Sequence, residues 1–283
     1  LRRDTKYFVS LYFIMSLACD INHIYNPLHS GLGNVLFLIA STYGIANANK
    51  LSVTIPSLNT FFNNWGTKYK TGIFRKINTN DTGNKMIKIY ELKKRRFTYW
   101  PTSCKNMNEL VGYYQSYKYF DKIQPTIKNL FQIDDNTKEY IIKKYGEIYA
   151  HNTTISIHIR RTDYCTMGFV LDFIYYTKAV AHFIKLSIDN IKFMIFSDDI
   201  EWCKTKFVGN HFYFVENEDD YVDLYIMSFC NHNIIANSTF SWWGAYLNNY
   251  NDKIVIYPKK WFINDVRYTK IKADFFPGTW VEI

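Results

Sequence analysis

From residue 154 to residue 257 the chain alternates short apolar runs with longer amphipathic stretches, and this alternation restricts the fold more than any other feature. Segments 155–159, 193–196, 212–215, 233–236 and 254–257 read as strands, and 172–188, 223–231 and 240–249 as helices. Strands separated by helices can pair in parallel, because a parallel neighbour requires a long crossover. A doubly wound parallel α/β sheet follows, and such sheets take their ligands beyond the carboxyl ends of the strands. The polar residues best suited to chemistry fall at those ends.

The first half carries a weaker version of the pattern. An apolar run over 7–18 follows Leu1-Arg2-Arg3, an outline shared by signal peptides and first strands. It is too short to span a bilayer, which takes about 20 apolar residues, and its strand-forming aromatics favour a buried strand. The turn Gly31-Leu32-Gly33-Asn34 then leads into a helix over 35–50, and residues 137–150 have helical spacing. Residues 51–125 are irregular.

Composition removes several alternatives. With 48% hydrophobic residues, 12 Gly and 6 Pro in 283 positions, the chain is too apolar for disorder. Its five scattered cysteines form no C-x-x-C pair, so they read as free thiols. The net charge of +9 attracts phosphates of any kind, on a nucleotide, a nucleic acid or a lipid headgroup. The densest basic run, Lys93-Lys94-Arg95-Arg96, reads as a solvated face. No nucleic-acid-binding module accompanies it, so no nucleic-acid partner is expected.

Three strand-end clusters remain. His158-Ile159-Arg160-Arg161-Thr162-Asp163 offers guanidinium forks, which pair with phosphate oxygens and stay charged when desolvated. Alternatively Asp163 simply pairs with the arginines. In Phe196-Ser197-Asp198-Asp199 a carboxylate can accept from a base edge or ribose, or cap the following helix. Asn237-Ser238-Thr239-Phe240 precedes a helix, whose free N–H groups suit an anion. Trp242-Trp243 reads as core. The turn at Gly31 and Gly33 is half of a dinucleotide fingerprint and weak evidence for one. No D-x-D motif occurs, so the sequence predicts no metal and assigns the diphosphate to Arg160, Arg161 and the helix at Ser238.

Taken together, five blocks resemble the α-1,2-fucosyltransferase family (glycosyltransferase family 11) in its bacterial and viral style. They are the glycine turn through Phe37, Gly112-Tyr113-Tyr114-Gln115-Ser116-Tyr117-Lys118-Tyr119-Phe120, the two clusters after residues 157 and 195, and 233–244, with Pro258 to Trp261 also matching. The resemblance implies a GT-B fold: two Rossmann-like domains facing across a cleft, residues 1–150 on the acceptor side and 151–283 binding the GDP-sugar. It implies an inverting transfer of L-fucose from GDP-β-L-fucose to a glycan acceptor, the 2-OH of a β-galactoside, without metal or cofactor. It puts Arg160 on the diphosphate, His158 with Asp198 or Asp199 near the guanine, Ser238, Thr239 and Phe240 around the nucleotide, and Asn34 near the reacting centre. Asp163, His29 and Asn34 are candidates for handling the acceptor hydroxyl, Asn34 by positioning alone. Val35 and Leu38 stand where the family has Gln, Ser30 for a Gly, Tyr117 for a Glu, and a longer spacer fills 20–30; all lie on the acceptor side. Another GDP-sugar, or an inactive sugar-nucleotide-binding relative, are the alternative readings. A sequon at Asn237, inside the proposed site, argues for a cytoplasmic enzyme, with a peripheral membrane contact left open by the basic surface.

Overall fold

Two parallel sheets carry the chain. The first contains β1 (Ser16–Cys19), β2 (Ser52–Val53), β3 (Ile87–Tyr90) and β4 (Asn108–Val111), in the order β2-β1-β4-β3. The second contains β5 (Thr153–Ile159), β6 (Ile191–Ser197), β7 (Phe212–Phe214), β8 (His232–Ile234), β9 (Val255–Tyr257) and β10 (Val281–Glu282), in the order β10-β9-β8-β5-β6-β7. This computed structural model describes residues 16–24, 31–81, 83, 86–92, 95–104, 108–261 and 268–283. Most of the run expected over 7–18, together with His29, Ser30, Lys93 and Lys94, lies outside the described residues.

The helices are α1 (Ile21–Ile24), α2 (Leu32–Asn49), α3 (Leu58–Trp65), α4 (Lys68–Thr71), α5 (Gln124–Leu130) and α6 (Asp135–His151), then α7 (Thr162–Met167) and α8 (Phe173–Lys185). They continue with α9 (Ile200–Lys206), α10 (Asp220–Phe229), α11 (Thr239–Leu247) and α12 (Tyr268–Phe275). Caps account for several boundaries: Asp134 accepts from the Thr137 N–H, Asp172 from Ile174, Asp199 from Trp202 and Ser238 from Phe240. Helix α2 starts at Leu32, three residues before the expected start, so the glycine turn's second half is helical.

Strand order positions the site. In the second sheet the winding reverses between β5 and β8, and in the first β1 and β4 are parallel neighbours. That reversal opens a crevice at the carboxyl ends of β5 and β8. The segments that leave the ends of these four strands, after Ile159, after Ile234, before α2 and after Val111, hold the candidate residues.

The larger hydrophobic core draws on both sheets, joining Leu17 and Leu36 to Met194, Phe196 and Trp242. Its centre is aromatic: the Phe37 ring lies 4.5 Å from Trp242, 5.3 Å from Trp243 and 5.5 Å from Phe275. Trp242 and Trp243 are fully buried, so the pair is core packing. Burying side chains of this size contributes about 1.5–3 kcal/mol each, enough to fix α2, α11 and α12 against one another. Gly33 permits that approach. A Cβ there would sit 2.4 Å from the Thr239 carbonyl carbon and 2.5 Å from the Phe240 nitrogen. The glycine therefore serves the close packing of α2 against the start of α11, like the third glycine of a dinucleotide fingerprint.

Candidate active site

The strand-end segments surround a cavity of about 690 Å³. One wall consists of His158, Arg160, Asp163, Tyr164, Ser197, Asp198, Ser238, Thr239 and Phe240; the other includes Gly31, Asn34, Trp65, Arg96 and Tyr113, with Asp220 and Asp223 between. Two of these, Asn34 and Thr239, meet directly: Thr239 Oγ1 donates to Asn34 Oδ1 at 2.9 Å.

Arg160 follows the last residue of β5 and remains 37% exposed through the cavity. Its Nε donates to Asp163 at 2.9 Å, its Nη1 lies 3.2 Å from Asp198, and Nη2 engages none of the described residues. Burial opposes the charge, yet the bond to Asp163 and the field of Asp198 outweigh it and hold the guanidinium above the ordinary arginine range. The result is an oriented, permanently charged fork with one edge open to a ligand.

Asp198 turns inward to the chain that precedes α7. It accepts from the backbone N–H of Arg161 at 2.8 Å and of Thr162 at 3.2 Å, and from the Thr162 hydroxyl. Arg161 and Asp199 pair with each other at 2.9 Å, and the Arg161 guanidinium lies 3.8 Å from the Trp202 ring centre. Neither residue lines the cavity, and neither does Asn237, whose amide donates to the Phe169 carbonyl at 2.9 Å. The alternatives left open for the two aspartates therefore divide: Asp199 caps α9, and Asp198 braces the Arg160 loop at the cavity edge.

His158 is buried, 5.3 Å from the Phe240 ring. Desolvation, with Arg160 nearby, pushes its imidazole down to about 3. It stays neutral throughout the physiological range and is a poor base. Ser238 caps α11 and presents that helix's N-terminal end to the cavity, so backbone N–H groups and the positive end of the dipole face any ligand there.

Four contributors escape a reading of the sequence alone. Arg96 belongs to the basic run expected to be solvated, yet it lines the cavity with its guanidinium 3.6 Å from the Tyr113 ring centre. Its neighbour Arg95 likewise stacks on Trp100, at 4.2 Å, so the solvated-face expectation fails for both described members. Gln115 is wholly buried between Arg96 and Asn34. Tyr164 donates to the Asn237 carbonyl at 3.2 Å. Asp223 lines the cavity with an unpartnered, buried Oδ1 among the described residues. Burial, then Glu218 and Asp220, push its carboxyl up to about 8. Its only sequence signal was a carboxylate on the buried face of an apolar helix, one turn in from the start of α10. Among the described residues no three His, Cys, Asp or Glu side chains group as a metal site requires.

Open arginine edges, a helix N-terminus and reversed strand winding around one cavity suit a phosphorylated ligand, and comparison with known proteins gives the class, a glycosyltransferase. More narrowly, residues 30–283 match the model of glycosyl transferase family 11, and the chain belongs to that family. It is 33% identical over 222 residues to the O-antigen biosynthesis glycosyltransferase WbnK of Escherichia coli, covering 72% of each chain. It is 34% identical over 200 residues to an alpha-1,2-colitosyltransferase of the same organism, covering 64% of each chain. The fold is shared with the fucosyltransferase NodZ from Bradyrhizobium, at a TM-score of 0.55 and 10% identity, over 81% of this chain and 91% of that one. Among the described residues no helix is long and apolar enough to cross a membrane.

Proposed function

We propose that this protein transfers L-fucose from GDP-β-L-fucose, with inversion, to the 2-OH of a β-galactoside, and that fixed protein cations replace a divalent ion at the diphosphate. The observation carrying the proposal is the open edge of Arg160 in the same cavity as the N-terminus of α11. In the transfer the anomeric C–O bond breaks and its electron pair leaves on the phosphate. The acceptor oxygen bonds to that carbon from the opposite face as its proton passes to water. Arg160 and the α11 N–H groups offset the charge growing on GDP, the kind of preorganised stabilisation that contributes most where water is excluded. Asp163 serves by holding the guanidinium plane.

The base and ribose fall to the other side of Arg160. Phe240 supplies an apolar face beside the neutral His158. A guanine edge presents adjacent N–H donors, and the unpartnered oxygen of Asp223 is an acceptor without a donor. The reading extends the donor set from the residues after β5 and β8 to the helix before β8. Residues 1–150 then form the acceptor side of a two-domain GT-B enzyme acting in the cytoplasm.

A second donor has support of its own: an α-1,2-colitosyltransferase is among the relatives, and colitose is the 3-deoxy form of L-fucose. The test is turnover with GDP-fucose, GDP-colitose and GDP-mannose on a panel of β-galactosides, with and without EDTA, and the product linkage read by NMR. The proposal predicts an α-1,2 product from GDP-fucose that survives chelation. Turnover with GDP-colitose alone would reassign the donor, and activity abolished by EDTA would end the metal-free scheme.

A further inference from the structure

The hydrogen bonds joining Arg96, Gln115 and Asn34 run in one direction only. A guanidinium carries N–H donors and no acceptor, so the Gln115 atom 2.9 Å from Arg96 Nε is the carbonyl oxygen. The opposite end of that amide is the NH2, and it donates to Asn34 Oδ1 at 2.6 Å. Thr239 Oγ1 donates to the same oxygen. Two donors fill the acceptor sites of Asn34 Oδ1, and the Nδ2 makes no bond to any described residue. It is also absent from the buried, unpartnered atoms of the described residues, so it is the accessible end in the cavity that Asn34 lines.

Nothing in the chain can turn by itself. Gln115 has no exposed surface, and its backbone N–H donates to the Arg96 carbonyl at 2.9 Å, tying the two residues twice. Arg96 is held over Tyr113. Reversing either amide would bring donor against donor in a buried place, where each unmet group costs about 1–3 kcal/mol. The fold explains why these residues meet. Gln115 follows β4 and Asn34 lies in the first turn of α2, which follows β1, so both sit beyond the carboxyl ends of two neighbouring strands.

We infer that Gln115 is a positioning residue: with Arg96 it fixes Asn34 so that an amide N–H, and never a proton acceptor, is presented to an oxygen of the bound sugar nucleotide. This rests on the transferase reading above.

Two near-isosteric variants separate this from a purely structural role. Asn34→Asp keeps both accepted bonds, loses the donated N–H and turns a carboxylate charge toward the bound diphosphate. Gln115→Glu still accepts from Arg96 but cannot donate, so Asn34 must turn its Nδ2 inward and show its oxygen to the cavity. Both are expected to lower kcat on the order of 100-fold, with donor KM changed less than about threefold. Gln115→Met leaves Asn34 able to adopt either orientation and should lose less, about tenfold. A structural role predicts the opposite ranking of the two Gln115 variants, with Gln115→Met, which breaks both bonds, worse than Gln115→Glu, which keeps the one to Arg96. Should Gln115→Glu fail to fold, Asn34→Asp decides alone: kcat within about threefold of wild type overturns the inference. Wild-type protein that transfers sugar from no GDP-sugar would instead sink the parent reading, and this one with it.

Discussion

The two walls of the cavity are assembled differently. On the wall made by His158, Arg160, Asp163, Ser197, Asp198 and 238–240, each group of residues ends or shortly follows a strand of the second sheet, so local order along the chain is order in the site. On the wall made by Gly31, Asn34, Trp65, Arg96 and Tyr113, contributors come from a helix start, a helix end and two irregular segments. There, packing and side-chain hydrogen bonds do the assembling. The comparison teaches that the first wall should fail through chemistry and the second through geometry.

The largest expected effect breaks the first wall. Arg160→Ala should lower kcat about 1,000-fold at saturating donor, since it removes a preorganised cation from the leaving group. Arg160→Lys should recover little, because the ammonium cannot keep Asp163 and Asp198 engaged while reaching a phosphate with a second edge. Steady-state turnover of both variants checks this; near-normal turnover by the lysine form would overturn the role.

Gly33→Ala tests the joint between the walls. The methyl meets the backbone of Thr239 and Phe240, so α2 must move away from α11. A loss of about 1–3 kcal/mol is expected, read as a lower denaturant midpoint. Gly31→Ala, where nothing lies within 4 Å of the new Cβ, should unfold like wild type. Equal midpoints for the two variants would disprove the close-packing account.

Asp223 sharpens the comparison through pH. Its carboxyl titrates at about 8 in the unliganded protein, with Glu218, Asp220, Asp219 and Lys144 as its charged neighbours. If it accepts from guanine, the ionised form binds. Below pH 8 binding must expel a proton, and GDP affinity should fall up to about tenfold per pH unit. Calorimetry between pH 6.5 and 8.5 checks this, and Asp223→Asn should flatten the profile and weaken binding at the alkaline end. The stability sign is opposite. A carboxyl raised above its unfolded value makes the fold less stable as pH rises from the unfolded pKa through the folded one. Asp223→Asn should therefore melt higher than wild type at pH 8 while binding GDP less tightly.

The smallest effect belongs to Asp199. Asp199→Asn keeps a good capping residue and loses the ion pair with Arg161 outside the cavity, so stability should change by no more than about 1 kcal/mol. Turnover should stay within about twofold of wild type. A tenfold loss would return Asp199 to the nucleotide.

Much of the second sheet was legible because its apolar runs are continuous and its helices begin at recognisable caps. Strand β5 was expected over 155–159 and forms over Thr153–Ile159; α11 was expected from 240 and begins at Thr239 behind the Ser238 cap. The first sheet was harder to read, since β2 has two residues and β3 is largely exposed, which leaves no periodicity to detect. Arg96 was missed for a related reason. Preceded by three basic residues, it resembles a surface residue until Tyr113 stacks on it.

What the sequence determined by itself is the placing of cations and helix-capping hydroxyls at the ends of parallel strands, because those relations are local. The tertiary structure alone decided which way the amides of Gln115 and Asn34 point and how far Asp223 and His158 titrate from their ordinary values. Gln115 and Asn34 are separated by 81 positions, and Thr239 and Asn34 by 205. Hydrogen-bond direction and desolvation depend on which distant groups exclude water around an atom, and no local pattern carries that information.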